Sequence, residues 1–308
     1  MKAILFSQAL VGYELAFRAR RLSIHTWSDY VNTYRKFATF LESDRPIDKI
    51  TETDIRGFLS SQTTITAKTL LNYYTGLASL WTWALAERYV HKHIVRAVTP
   101  PKPEIRAIEP FSILDLKALL AALSRSRPYK RPGKVETSHS LQNQERNEAI
   151  ILLLLDTGLR ASELCELTML NLDSRNRHIK VMGKGAKERI IPFSARTGRS
   201  IWRYLTIRPD DLPYQNVFMG MFSAPMDRML LARTLLRLGD RASVHDCHPH
   251  RFRHTFAINY LRNGGDPYTL QIILGHTSMD MVQRYLRLSQ IDFEIKHALA
   301  SPVERMHL

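Results

Sequence analysis

The sequence predicts a mainly α-helical protein of two domains, with a small β-sheet or hairpin in the second. Three observations carry this expectation. Apolar residues recur at three-and-four spacing in segments on both sides of a proline cluster, Pro100, Pro101 and Pro103. That cluster, with charged Lys102, Glu104 and Arg106, is a stiff extended stretch between two well-patterned regions. Around residues 178–192 the pattern changes to strand-like runs on either side of two glycines.

In the first region Trp27, Tyr30, Val31, Tyr34, Phe37, Ala38 and Leu41 share one helical face, and Pro46 is expected to end that helix. Thr51 with Asp54 reads as a capping box ahead of Ile55, Phe58 and Leu59. Leu70, Tyr74, Leu77, Trp81 and Leu85 mark a longer helix. Helical spacing already explains these aromatics as core residues, so none is assigned to stacking on bases. Arg18, Arg20, Arg21, Arg35 and Lys68 lie off the apolar stripe and either line DNA or are simply solvated. Residues 1–100 are therefore expected to form a helical domain, 101–111 a linker and 112–308 the second domain.

Ser112 and Asp115 cap a helix carrying Leu116, Leu119, Leu120 and Leu123. Residues 125–146 are polar and basic with no clear period and read as a surface loop. The apolar run 150–155 leads to Gly158, a helix stop, and a new helix is expected near Ser162, which places Arg160 at the turn. Strands are expected at 178–182 and 188–192, with Ile179, Val181, Ile190 and Ile191 as their β-formers and Lys184 at the hairpin tip. A helix starting near Pro249 runs through Ile258 and Leu261 to Gly264 and Gly265, with His250 and Arg253 three residues apart on one face. Gly275 stops a further helix just before His276, and Tyr285 lies on the next short one.

Composition narrows the function. Lys and Arg number 44 against 29 Asp and Glu, a net charge of +15 that points to a polyanionic partner, nucleic acid first. Two cysteines, Cys165 and Cys247, exclude a disulfide framework and fit a reducing cytosol. The start of the chain is too polar for a secretory signal, and the run 150–155 is too short to span a bilayer, so a cytoplasmic, nucleoid-associated protein with no membrane partner is expected. No Gly-x-x-x-x-Gly-Lys-Ser/Thr pattern is present, which argues against nucleotide hydrolysis. His245, Cys247, His248 and His250 crowd together, but no second ligand cluster matches them, and His250 and His254 lack the glutamate of a zinc-protease helix. No metal and no cofactor are expected.

The blocks TGLRASEL, GKGAKER, HRFRHTFA and LGHTSMDMVQRY, in that order, closely resemble the tyrosine recombinase family, also called phage integrases, and especially its compact Xer-like members. The resemblance covers most of residues 112–290, and more loosely LSIHTWSDYVNTYRKFATFL, which is similar to the helical, SAM-like core-binding domain of that family. It implies a site-specific recombinase that cleaves and rejoins DNA through a 3′-phosphotyrosine, for integration, excision or resolution. Tyr285 is then the nucleophile, Arg160 and Arg253 clamp the scissile phosphate, and His250 and His276 assist. Lys184 protonates the leaving 5′ oxygen, with Lys187 as its rival or else a DNA contact, and Glu163 orients the basic groups.

Elementary chemistry supports each role. Arginine forks stay cationic and donate paired hydrogen bonds to phosphate oxygens, so two of them can do the work of a metal ion. A phenol of pKa about 10 needs its proton removed or its oxyanion stabilised, and a 5′ hydroxyl leaving group needs an acid. Keeping the bond energy in a phosphotyrosine explains why no ATP motif is needed.

The resemblance further implies double-stranded DNA recombination sites as partners and a homo-tetramer on two synapsed sites. The apolar tail residues Ile291, Phe293, Ile295, Ala298 and Leu299 would dock on a neighbouring subunit or fold back on their own domain. Little room precedes the first helices for an additional arm-binding domain, which points away from a phage enzyme with distant arm sites. The competing expectations are a catalytically idle DNA-binding architectural factor and a type IB topoisomerase with the same chemistry.

Overall fold

A computed structural model of the chain describes residues 4–103, 109–124, 141, 143–183, 188–209, 215–220, 224–276, 278–289, 297, 301 and 303. The chain divides into two compact units, residues 1–107 and 108–308.

The first unit packs α1 (Phe6–Ala19), α2 (Ile24–Leu41), α3 (Glu52–Ser61) and α4 (Ala67–Ala86) around one aromatic core. Thr51 and Asp54 close the capping box expected at the start of α3. Two helical faces differ from their sequence patterns. On α2, Thr33, Tyr34, Phe37 and Leu41 are buried while Ala38 is exposed, and on α4 the buried face is Tyr73, Leu77, Leu80, Trp81 and Ala84, with Leu85 outside. Ala38 has too little apolar surface to compete with Phe37 for the core. The second helix stops at Leu41, where Glu42 takes a left-handed conformation, and Pro46 instead leads into a short 3-10 turn at Ile47–Lys49.

The second unit runs α5 (Ile113–Ala121), α6 (Gln144–Thr157), α7 (Ala161–Cys165), β1 (Leu172–Asp173), β2 (His178–Met182), β3 (Glu188–Pro192), α8 (Ala195–Ile207), α9 (Arg228–Ala242), α10 (Pro249–Arg262), α11 (Pro267–Leu274) and α12 (Asp280–Ser289). The strands form an antiparallel sheet in the order β1, β2, β3, with Ile179 opposite Ile191 and Val181 opposite Arg189. Strand alternation turns Arg189 and Ile191 inward and leaves Ile190 63% exposed, so of the two isoleucines expected as strand formers only one faces the core, and the other inward position holds an arginine.

The polar stretch expected as a loop to residue 146 gives way to α6 at Gln144, and Arg146 is buried, its Nη1 donating to the Met219 carbonyl at 2.9 Å. The rest of that stretch, residues 125–140 and 142, lies outside the described residues, as do Lys184, Lys187 and the tail positions 291, 293, 295, 298 and 299. Among the described residues no helix is long and apolar enough to cross a membrane. Cys165 and Cys247 are free and buried, and burial pushes both thiols up to about 12, which keeps them inert.

Candidate active site

The site is assembled around one turn. Helix α11 ends at Gly275, whose φ of +62° suits a residue without a Cβ. The amide of Gly275 donates to the Ile272 carbonyl and that of His276 to the Gln271 carbonyl, at 3.0 and 3.1 Å, which is the Schellman closure of a helix end. Three further carbonyls remain. Arg189 Nε donates to Ile273 at 2.8 Å, Arg253 Nη2 to Leu274 at 2.7 Å, and Arg160 Nη2 to Gly275 at 3.0 Å. Three guanidinium groups from three separate elements thus meet the negative end of one helix, each on its own carbonyl.

Arg160 is the residue just before α7, set there by the left-handed Gly158 that ends α6. Its Nη1 pairs with Glu163 at 2.7 Å, and its backbone amide donates to the other carboxylate oxygen at 2.9 Å. Arg189 Nη2 reaches that second oxygen at 2.8 Å. Burial alone would raise the Glu163 carboxyl, but the bonds from Arg189 and Arg160 outweigh it and hold it below the usual carboxylate range.

Arg253, one turn into α10 and 5% exposed, donates from Nη1 to the Gly158 carbonyl at 2.7 Å and from Nη2 to His276 Nε2 at 2.9 Å. Burial pushes it down to about 10, so it remains cationic at neutral pH. A guanidinium carries five N–H donors. The bonds above use part of the set on Arg253 and Arg160, and the side chain of Arg160 is 32% exposed, so Arg160 can still present donors to a phosphate.

Tyr285 on α12 is buried, 2% exposed, with two imidazoles against its ring: His254 lies edge-on at 5.3 Å between centroids and His276 stacks at 6.3 Å. Burial raises the phenol above its ordinary value of 10.0, against the pull of Arg253, Arg284 and Arg160. Burial and the neighbouring arginines push His276 and His254 down to about 4. His250, on the exposed first turn of α10, is lowered from 6.5 by partial burial and by Arg253 and Arg160. All three histidines are therefore neutral at pH 7, and His250 is a proton acceptor beside the arginines.

The structure brings Arg160, Glu163, His250, Arg253, His276 and Tyr285 together. His254 and Arg189 also belong to this cluster and were missed from sequence. Both stand inside the blocks that carry the family likeness, His254 in HRFRHTFA and Arg189 at the end of GKGAKER, and that placement is the signal that could have found them; neither was given a role, and His254 figured only in a rejected metal pattern.

Other basic and histidine-rich positions have separate employment. Arg251 lies over the Phe111 ring at 4.2 Å and donates to the Glu109 carbonyl, and His248 caps α10 through Nδ1. Among the described residues no group of three or more His, Cys, Asp or Glu is placed to hold a metal.

In the first unit Arg20, Arg21, Arg35 and Lys68 are exposed, and Arg18 is exposed but paired with Glu14 at 2.6 Å. Helices α2 and α4 border a polar cleft of about 290 Å³ that includes Thr26, Asn32, Thr69, Asn72 and Tyr73.

A centre of arginines and neutral histidines around a tyrosine has the make-up to hold a phosphate and to accept a proton beside it. Comparisons with known proteins give the family. The model described as "Phage integrase family" matches residues 135–291, and "Phage integrase, N-terminal SAM-like domain" matches 13–88. Tyrosine recombinase XerC of Listeria innocua is 27% identical over 281 residues, 88% of this chain and 89% of the relative. Tyrosine recombinase XerD of Staphylococcus saprophyticus is 28% identical over 279 residues, 87% and 90% of the two chains. Among solved structures the Tn1549 transposon integrase, in complex with a circular intermediate DNA, shares the fold with a TM-score of 0.75 at 20% identity, over 99% of this chain and 100% of that one. The chain belongs to the phage integrase family and is a tyrosine-type site-specific DNA recombinase.

Proposed function

We propose that Tyr285 is the nucleophile and that Arg160, Arg253, His250, His276 and Lys184 form the rest of the reacting centre. The phenolic oxygen attacks phosphorus and its proton passes to neutral His250. The bond from phosphorus to the 5′ oxygen breaks, and Lys184 supplies the proton that oxygen needs. The phosphate stays on Tyr285 as a 3′-phosphotyrosine, and the free 5′ hydroxyl of a partner strand reverses the attack.

The observation that carries this reading is the packing of Tyr285 against two neutral imidazoles, one of which is bonded directly to Arg253. A phosphate gripped by Arg160 and Arg253 sits within the field that already acts on the phenol. Because the ring is 2% exposed, the phosphate must reach the phenol from the arginine side or α12 must shift.

The substrate of this chemistry is a pair of duplex recombination sites held by a homo-tetramer. The first unit grips the duplex through Arg20, Arg21, Arg35 and Lys68, with Lys187 adding a contact from the second unit, while Asn32 and Asn72 in the polar cleft are suited to reading base edges. Arg18 is a weaker candidate because Glu14 already neutralises it. In the second unit an apolar groove of about 600 Å³ that includes Phe111, Leu155, Phe193, Phe256, Tyr260 and Ile273 is a suitable acceptor for the tail of a neighbouring copy. Movement of a mobile element or resolution of joined replicons fits this plan equally well.

Incubation with a nicked suicide site without magnesium, followed by a denaturing gel, tests the reading. A covalent protein–DNA band that Tyr285→Phe abolishes is expected, and an undiminished band from that variant refutes the assignment.

A further inference from the structure

Arg189 is a charged side chain facing the interior from β3, at a position where alternation calls for an apolar residue. Burying a guanidinium is costly unless its bonds are made well, and a well-packed apolar residue commonly serves stability as well or better. Folding alone is therefore a poor reason for an arginine here.

Its partners suggest another reason. One donor goes to Glu163, the carboxylate that also grips Arg160, and another goes to the Ile273 carbonyl, three residues before His276. A Cβ placed on Gly275 would lie 3.1 Å from Arg189 Nη1, so the guanidinium is set flush against the turn that carries His276. Arg189 is thus a single rigid fork between the carboxylate that aims Arg160 and the turn that presents His276 to Arg253.

We propose that Arg189 is a positioning residue of the recombination centre, fixing Arg160 and the His276 turn relative to each other without touching the phosphate. Its burial keeps it from the DNA. Its effect reaches the reaction through Arg160, whose guanidinium is otherwise held by Glu163 and the Gly275 carbonyl alone among its bonds described above. This inference rests on the assignment of Tyr285 and Arg160.

The test uses the full chain on a nicked suicide duplex, with the rate of covalent adduct formation measured at saturating DNA. Two substrates are compared, the ordinary phosphodiester and one whose scissile group is a methylphosphonate. The second lacks one charged oxygen, so it depends less on correct placement of the clamping cations. Arg189→Met keeps the stem and removes the fork, and Arg160→Ala serves as the reference.

Arg189→Met is expected to slow adduct formation about 10- to 100-fold on the phosphodiester, the usual cost of losing a supporting contact. DNA affinity and the final adduct yield stay unchanged, and the defect shrinks on the methylphosphonate as it does for Arg160→Ala. Should Arg189→Met fail to fold, Arg189→Lys is read by the same ratio, since an ammonium reaches Glu163 or the Ile273 carbonyl but not both.

A wild-type rate, or equal slowing on the two substrates, overturns the role given to Arg189. Adduct formation by Tyr285→Phe in the same assay overturns the underlying site assignment instead, so the two failures are told apart.

Discussion

Arg253 donates from Nη2 to His276 Nε2 at 2.9 Å, and this bond settles the state of the imidazole. Its Nε2 is the acceptor, so the ring proton is on Nδ1, and burial beside Arg253, Arg160 and Arg189 keeps the ring neutral. The same guanidinium reaches the Gly158 and Leu274 carbonyls in two directions. A lysine has one point of charge and cannot span them. Arg253→Lys is therefore expected to lower the single-turnover cleavage rate by about 100-fold or more, in line with loss of an oxyanion donor. Near-normal cleavage by this variant would show that the fork geometry is dispensable.

The pH dependence of cleavage follows from His250. Partial burial, then Arg253 and Arg160, lowers its pKa from 6.5, so its neutral, proton-accepting form persists below that pH. The acid limb of the rate profile should lie below pH 6.5 and weaken or vanish in His250→Ala. A limb centred above 6.5 would mean that a nearby carboxylate, not an arginine, dominates the imidazole.

Stability should also fall with acid, for a related reason. His254 and His276 have an ordinary value of 6.5 and folded values of about 4, burial being the main cause for both. Between those pH values the unfolded chain binds protons that the folded chain refuses, so unfolding becomes easier as pH drops through the window. Denaturant melts at pH 7, 6 and 5 should show declining stability, with a shallower slope in His254→Gln. A flat profile over that range would contradict the burial of these rings.

Two glycines set the turns and should respond differently to alanine. Gly158 and Gly275 both have φ of +62°, which costs a Cβ-bearing residue about 1–2 kcal/mol. At Gly158 the new methyl would also collide with Phe256 and Leu274 in the core, adding about 1–3 kcal/mol of overpacking. At Gly275 it meets only the Arg189 guanidinium, at 3.1 Å. Calorimetry should rank Gly158→Ala as the more damaging to stability, while Gly275→Ala should slow cleavage out of proportion to its smaller thermal shift. Equal melting temperatures would contradict the packing around Gly158.

Much of this was legible in the sequence because local signals and tertiary structure agree there. The capping boxes at Thr51 and Ser112 and the strands bracketing 183–187 lie where propensity puts them. The gathering of Arg160, Arg253, His276 and Tyr285 was foreseeable only through the likeness to a family, since no periodicity brings four distant segments together.

What escaped had weak local marks. Helix α1 starts at Phe6 after Leu5, whose side chain cannot cap and whose amide is taken by Gln8 Oε1 at 3.0 Å, although Phe6, Ala9, Tyr13 and Phe17 do keep helical spacing. Helices α8 and α9 were not foreseen although each begins at a capping residue, Ser194 and Asp227, and α9 keeps Leu231, Leu235 and Leu238 at helical spacing; β1 is two residues long. The burial of Arg189, which ends the GKGAKER block, was not legible because it comes from α11 packing over β3, a long-range event that strand alternation cannot report.

The identity of the nucleophile is open to direct measurement. Adduct trapped on a suicide duplex can be digested with trypsin and nuclease and the nucleotide-bearing peptide sequenced by mass spectrometry. Cleavage after Arg284 and Arg287 should release residues 285–287 with the phosphonucleotide on Tyr285. A phosphonucleotide on any other residue would contradict the site described above.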